Sequence, residues 1–571
     1  SEIDLNAFSN EVLKQEFVSD KLKKVLIALD AKGQVSNLVI NWNKKTLRDF
    51  RLTADLNNLS VNHYTGVPAL RGVTGLLDMS AFGGRINLDA QDFSLSFPRL
   101  FPKKWDYQSA NGVVSWKINR SEKGIESVWV GSQLLSVARD DMQARGRFSL
   151  SLPLDLTKQA ELILMLGMQN NPLSDVLNYI PPKLVGEGLD QWLNKAALAG
   201  HLEESGFVLR TGIRKDISEP INASVQMYYK LKDTKVNFDQ NWPNLTADDV
   251  LVTFWDGDLS VSANKSKIAA NSVTELSVKK RSSINALTVA AFLSGDLGKL
   301  YSKIQTKPAK KLLPQVIRHW KLTGEHQSAL ALTIPLTVKG KGQSEGVSAT
   351  NSEFHINLTT AFKNVSLHDD KLQLKAKKSR GKIVFDSIKG LSSNDISLSA
   401  FGFPATLAIA SKTDKKVVKT TVMLKGKAAI KDVKPWLNSE HLDKLKGSSA
   451  FAAKLDYCAN SNCNQLLINT DLAGIAIDLP APWGKNAKSK RKLQVLKPPE
   501  ENQAVIWRYN YADIVRGVTR MASVSAKGVT VDDGLTSIAL GGARPDLLTG
   551  TGVHVKGVLR DVDIDALIPY F

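Results

Sequence analysis

The stretch Asp248–Ser266, DDVLVTFWDGDLSVSANKS, decides how the rest of the chain is read. Val250, Val252 and Phe254 fall on every second residue. Leu259, Val261 and Ala263 do the same after the turn, opposed by Ser260 and Ser262. A side-chain period of two belongs to a β-strand, and one apolar face backed by a polar one marks antiparallel sheet covered on one side only. The alternation precedes this stretch in SVQMYYKL, with Val225, Met227 and Tyr229 against Gln226, Tyr228 and Lys230. It recurs in FVLRTGI (Phe207, Leu209, Thr211, Ile213), GKIVFDS (Ile383, Phe385) and NDISLSAF (Ile396, Leu398).

Helical patterns are few: SDVLNYI (174–180), LDQWLNKAAL (189–198), INALTVAAFLSG (284–295) and DVKPWLNSEHLDKL (432–445). They cannot cover the apolar faces of so many strands. A second sheet, barrel closure or a curved sheet whose inner face is filled by something else, such as acyl chains, would solve that problem.

The 571 residues suggest about four domains at roughly 150 residues each. Hydrophobic residues at 43% and charged residues at 23% describe a folded chain and exclude general disorder. The longest apolar run, LILMLGM (162–168), falls far short of the roughly 18–20 residues of a membrane span. SEIDLNAF at the start lacks the order of a signal peptide, so the chain is expected to be cytosolic or an internal piece of something longer. Lys and Arg number 75 against 56 Asp and Glu, a net charge of +19 that suits anionic partners. The clusters KAKK (375–378) and KSKRK (488–492) lie on no periodic basic helix, so a solvated basic face is expected and nucleic acid is not.

Two repeats are visible. VNHYTGVPALRG, from Val61, and VNFDQNWPNLTA, from Val236, share Val, Asn, Pro and Leu at an offset of 175. After a two-residue gap Gly84, Ile86, Leu88 and Ala90 match Gly257, Leu259, Val261 and Ala263. KGKAAIKDVKPWL from Lys425 resembles KGVLRDVDIDALI from Lys556. Each is a strand, turn, strand unit, so the β architecture is modular.

Reaction chemistry is sparse. The eight histidines are dispersed with no metal-ligand spacing, and His368-Asp369-Asp370 reads as a turn. The one GxSxG match, Gly342–Gly346, is followed by VSATNSEFHINL, not by the helix a nucleophile elbow needs. LGGARPDLLTGTGV (540–553) reads as turns between strands. Cys458 and Cys463 flank a turn-like ANSN. They either form a disulfide across a hairpin mouth, which favours an oxidising compartment, or remain two reduced thiols.

DLAGIAIDLPAPWGK (471–485) reads either as a phosphate-holding loop or as a strand running to its end. Leu479 stands where a phosphate loop needs glycine, and Pro480 and Pro482 remove N–H groups from any nest. Leu466, Ile468 and Leu472 set one alternation. Ile475, Ile477 and Leu479 resume it one residue out of phase, which places a bulge at Gly474 and Asp478 on the outer face.

With its surroundings, LLINTDLAGIAIDLPAPWGK (466–485) resembles the YhdP family, AsmA-like relatives of TamB from Gram-negative bacteria. LNYIPPKLVGEGLDQWLNKAALAGHLEESGFVLR (177–210), VNFDQNWPNLTADDVLVTFWDGDLSV (236–261), GKIVFDSIKGLSSNDISLSAFGFP (381–404) and VKGVLRDVDIDAL (555–567) are similar to other segments of that family, with Leu567 where the family has tryptophan.

The resemblance implies a mainly β fold: a long, twisted antiparallel sheet of repeating strand units, curved into an elongated, taco-like groove, with a few short helices. It implies β-groove repeats over 1–172, a short helical pair over 173–199, a repeat over 200–283 and a helical insert over 284–323. Further repeats would follow over 324–430, a short helix over 431–446 and C-terminal repeats over 447–571. The function implied is non-enzymatic, bridge-like transfer of phospholipid from inner to outer membrane. The protein would stand in the periplasm, anchored by an N-terminal helix outside this chain, with membrane partners bound through segments outside it. The candidate groove-lining residues are Val225, Met227, Tyr229, Val250, Val252, Phe254, Leu259, Val261, Ile383, Phe385, Ile396, Leu398, Leu466, Ile468, Leu472, Ile475, Ile477 and Leu479. No catalytic residue, metal or cofactor is expected. The alternative is a periplasmic β-scaffold or spacer whose apolar faces pack on each other.

Overall fold

The computed structural model describes residues 2–15, 20–43, 46–64, 68–98, 101–122, 124–180, 187–214, 222–240, 242–281, 283–284, 286–305, 317, 320–336, 354–369, 374–414, 417–437, 443–458, 463–499, 505–521, 535–547, 551–558 and 565. The GxSxG match and most of the Lys556 repeat lie outside them. Strand accounts for 70% of the structure and helix for 10%, so sheet faces far exceed what the helices can cover.

The chain forms two compact units. One comprises Ser1–Ile268, Thr274–Thr288 and Leu336–Thr350, the other Ala269–Val273, Val289–Pro335 and Asn351–Phe571. In the first unit, strands follow one another as antiparallel neighbours from Lys32–Asn43 through Thr46–Val61, Ala69–Ser80 and Gly83–Ser96 to Trp105–Ser121. Gly124–Ser132 and Leu135–Arg139 act as one broken strand, both pairing with Trp105–Ser121 on one side and with Met142–Pro153 on the other. The meander continues through Glu161–Pro172, Ala197–Gly212, Ser224–Val236 and Leu245–Trp255 to Asp258–Ile268. The strand-turn-strand repeat is visible here, with Ala90 of Gly83–Ser96 and Ala263 of Asp258–Ile268 both buried at matching positions.

In the second unit the antiparallel order runs from Trp320–Pro335 through His355–Asp369, Leu374–Asp386, Gly390–Ala400, Phe403–Asp414, Val417–Ala429 and Leu445–Cys458 to Gln465–Thr470. Leu493–Lys497, Val505–Tyr511, Val515–Met521 and Leu535–Leu540 complete it. Among the described pairings one breaks the expected antiparallel rule. Gly552–Gly557 pairs parallel to Leu535–Leu540, because the connection over 541–551 is long enough to return the chain to the same end.

Many strands contain an interior residue in the left-handed region: Asn37, Asn58, Asp92, Asp233, Lys265, Asn364 and Lys378 have φ of 48–59°. Register shifts accompany Asn37, Asn58, Asn364 and Lys378. Each such bulge bends its strand and increases the local twist, so these strands are curved as well as pleated.

One helical expectation needs correction, and two keep their helices with shifted bounds. Ala286–Asp296, inside the expected insert over 284–323, is a strand; helix occupies Leu297–Ile304, and Trp320 already begins the next strand. The alanine-rich sequence favours helix, but Ala286 and Ala291 are buried while Thr288, Ala290 and Phe292 face out, and this tertiary burial overrides propensity. In the expected pair over 173–199, helix spans Leu173–Val176 and Glu187–Ala196, and Ala197 and Leu198 belong to a strand. The helix expected over 432–445 runs Ile430–Leu437, and Leu445 starts the strand that ends at Cys458. Among the described residues no helix is long and apolar enough to cross a membrane.

Candidate functional site

The second unit encloses a cavity of about 1360 Å³. Its wall is the apolar face of consecutive strands, several side chains from most of them, such as Leu358, Phe362, Val365 and Leu367 of His355–Asp369. Leu358 pairs with Phe385, Phe385 with Leu391, Ile409 with Val422, Val422 with Leu455 and Leu455 with Leu466, and all of these line the space. Ile383, Phe385, Ile396, Leu398, Leu466, Ile468, Leu472, Ile475, Ile477 and Leu479 are all brought together there. Period-two alternation puts them on one face, and antiparallel pairing sets the faces side by side.

Wall residues outside the alternation come from the helix Leu297–Ile304, whose Leu300 and Tyr301 are buried, and from Phe401 and Trp483, while Phe451 and Tyr511 join on strand faces opposite Thr470 and Leu493. The Tyr301 hydroxyl donates to the Ile317 carbonyl, and burial raises its pKa. The helix has no period-two signal, so counting along strands misses it. Two hydroxyl pairs interrupt the apolar wall, Ser328 with Thr360 at 2.9 Å and Ser449 with Thr470 at 3.1 Å. Ser328 also meets His326 Nδ1 at 2.7 Å, and His326 Nε2 meets Asn271 Oδ1 at 3.1 Å. Burial lowers the His326 pKa, so the buried ring favours its neutral form.

The segment 471–485 resolves into strand plus cap. Thr470 lies opposite Phe451 and Ile475 opposite Gly447, so residues 471–474 face only 448–450. One extra residue is a bulge, and it shifts the alternation so that Leu466, Ile468, Leu472, Ile475, Ile477 and Leu479 all reach the same cavity. Asp478 is exposed on the other side. Lys485, which a phosphate loop would point at its ligand, turns inward and is buried. Its ammonium donates to the carbonyls of Leu472 (2.9 Å), Asn486 (2.9 Å) and Ile475. Burial, with Arg491 nearby, lowers its pKa. An ammonium has three N–H donors, and all three are engaged.

The other eight candidates belong to the first unit and do not contribute to this cavity. Register puts Val225, Met227, Tyr229, Val250, Val252, Phe254, Leu259 and Val261 on one face. At one end of that face Tyr229, Val250 and Val252 pack against Leu173, Val176, Leu202 and Leu231, so a short helix already covers them. Burial raises the Tyr229 pKa, as expected for a phenol beneath that cover.

His368 and Asp369 end the strand His355–Asp369, and buried Asp369 lines the cavity. Cys458 and Cys463 form a disulfide, their Cα atoms 5.8 Å apart. Among the described residues no three His, Cys, Asp or Glu side chains stand together as a metal set. The arrangement as a whole offers a concave, largely apolar surface built from consecutive strands.

The family model described as YhdP protein matches residues 1–571, the whole chain. No curated protein and no solved structure matches it.

Proposed function

The chain belongs to the YhdP family along its whole length, and from that premise we propose that it is a bridge-like lipid-transfer protein that guides phospholipid without a chemical step. Membership makes it an AsmA-like protein related to lipid transport. The observation that carries the finer reading is the cavity of about 1360 Å³, walled by one apolar face of consecutive strands. It exceeds the roughly 300–1,000 Å³ of a site for a compact small molecule. Each buried CH₂ contributes about 0.8 kcal/mol, so a 16-carbon chain gains on the order of 10 kcal/mol inside. A wall that repeats from strand to strand gives similar free energy at successive positions, so sliding along it costs less than leaving for water.

In this reading the protein works in the periplasm, anchored to the inner membrane by a helix outside this chain, and passes lipid towards the outer membrane. The disulfide between Cys458 and Cys463 supports an oxidising compartment.

The test is to purify the chain and identify bound lipid by mass spectrometry. Phospholipid in the parent, lost in Leu398→Asp with the fold intact, is the expected result. A parent free of lipid overturns the proposal. Leu398 is chosen because Ile396 is only 3% exposed, within a packed cluster with Leu391 and Ile409. That cluster favours the scaffold reading locally, and a scaffold would retain its fold and carry no lipid at all.

A further inference from the structure

The first unit carries a second cavity, about 890 Å³, and it lies on the side of the sheet expected to be merely polar. Arg147, Met165, Val208, Gln226 and Trp255 stand opposite one another across successive strands. Arg145, Gly167, Gly206, Tyr228 and Thr253 form the adjacent row. Both rows border the cavity, so it is a trough running across the strands, with their backbone as its floor. These residues alternate with Leu166, Phe207, Met227 and Phe254, so the trough opens away from the apolar face.

Its composition is unusual for a solvated face. Trp255 is 64% exposed and Val208 38%. A Cβ on Gly167 would meet only the Ser205 and Arg145 carbonyl oxygens, at 3.5 and 4.0 Å, so the glycine keeps the floor low there. Arg145 and Arg147 border one end, Lys279 and Arg281 the other, and among the described residues none of the four is ion-paired with a carboxylate. Asp258 is the one carboxylate on the border.

We propose that this trough binds an anionic lipid, its alkyl chain lying along Met165, Val208 and Trp255 and its charged group held by Arg145 and Arg147. Charge complementarity selects an anion, and the exposed tryptophan and valine select an apolar body. An alkyl chain suits the floor better than a peptide does. The floor's N–H and C=O groups are spent in the sheet ladder, so a crossing peptide would bury its own without partners. From the Arg147 strand to the Asp258 strand is five strand spacings, about 24 Å, room for an extended chain. The site does not depend on the transfer function proposed above, since it lies in the other unit and on the opposite kind of face.

The test titrates the whole chain with dodecyl phosphate below its micelle concentration, with dodecyltrimethylammonium as the cationic control. The inner cavity also accepts alkyl chains, so the reading is the difference between parent and variants. Arg145→Glu with Arg147→Glu is expected to remove one class of sites or weaken it at least about tenfold. Val208→Glu, which obstructs the trough and leaves both arginines, is expected to do the same. Arg145→Lys with Arg147→Lys retains the site. Unchanged dodecyl phosphate binding in both glutamate variants overturns the proposal, as does equal binding of the cationic amphiphile at that site. An acidic peptide that binds there while dodecyl phosphate does not overturns it in favour of a protein partner.

Discussion

The Lys485 ammonium donates to the Leu472 carbonyl at 2.9 Å, reaching it from the far side of the bulge that re-phases the strand. Leu472 itself is in the left-handed region, with φ 51°, and the tight turn it opens is closed by the Ile475 N–H donating to the Leu472 carbonyl at 3.1 Å. Lys485 adds a charged donor to the carbonyls of Leu472, Ile475 and Asn486 together. The Gly-Lys pair that resembles phosphate chemistry is therefore a backbone cap. Lys485→Met keeps the stem and removes the donors, so the Ile475 carbonyl loses its side-chain donor while Leu472 and Asn486 retain the Ile475 N–H and the Ser489 hydroxyl. A loss of about 2 kcal/mol is expected, read as a lower denaturant midpoint with faster hydrogen exchange over 472–477. Unchanged exchange there would show that the carbonyls find other partners.

The bulge also needs two glycines in close apposition. Gly447 has φ 111° and Gly474 φ 89°, and a Cβ on Gly447 would meet the Gly474 carbonyl oxygen at 2.0 Å. That obstacle is backbone, so it cannot rotate away. Gly447→Ala is expected to cost more than about 2 kcal/mol, from left-handed strain and overlap together. Ser448→Ala, at the neighbouring position, is the control and leaves the midpoint nearly unchanged.

These two glycines mark the limit of what alternation can reveal. Gly474 is legible because the apolar pattern slips by one residue around it. Asn37, Asn58, Asp233 and Lys378 also sit at left-handed positions, yet each is polar and resembles an ordinary outward residue. A bulge of that kind changes curvature without announcing itself. The cavity wall from Ile383 to Leu479 is legible because period-two alternation, re-phased at the Gly474 bulge, places its candidate members on one face. Leu300 and Tyr301 are not, since they come from a helix that joins the wall by tertiary packing alone. The strand Ala286–Asp296 is misread because alanine and leucine favour helix in isolation, and only neighbouring strands decide otherwise.

Acid sensitivity should centre on Asp386, at the turn between Leu374–Asp386 and Gly390–Ala400. Burial opposes ionisation, but the Lys389 and Ile388 N–H groups, both at 2.9 Å, and His355 outweigh it and hold the carboxyl at about 2. The folded pKa lies below the unfolded value, so the stabilisation is full above about pH 4 and is lost as pH falls through about 2. It amounts to about 2 kcal/mol. Asp386→Asn should be less stable than the parent by that order at pH 7, the gap closing by pH 2. A gap that persists at pH 2 would place the effect in packing.

Cavity volume can be reduced without adding charge. Ala453 lies between Leu424 and Ile468 on the wall, so a large side chain there projects into the space. Ala453→Trp adds apolar surface to an existing void, so it avoids the strain of overpacking a filled core. If the void holds acyl chains, bound phospholipid falls by about half or more while the unfolding midpoint holds or rises. The same substitution in a dry scaffold raises the midpoint and leaves lipid content, already nil, unchanged. Lipid quantified by mass spectrometry beside a denaturant melt separates the two. Displacement by a neutral indole also rules out any explanation of the Leu398→Asp result through charge alone.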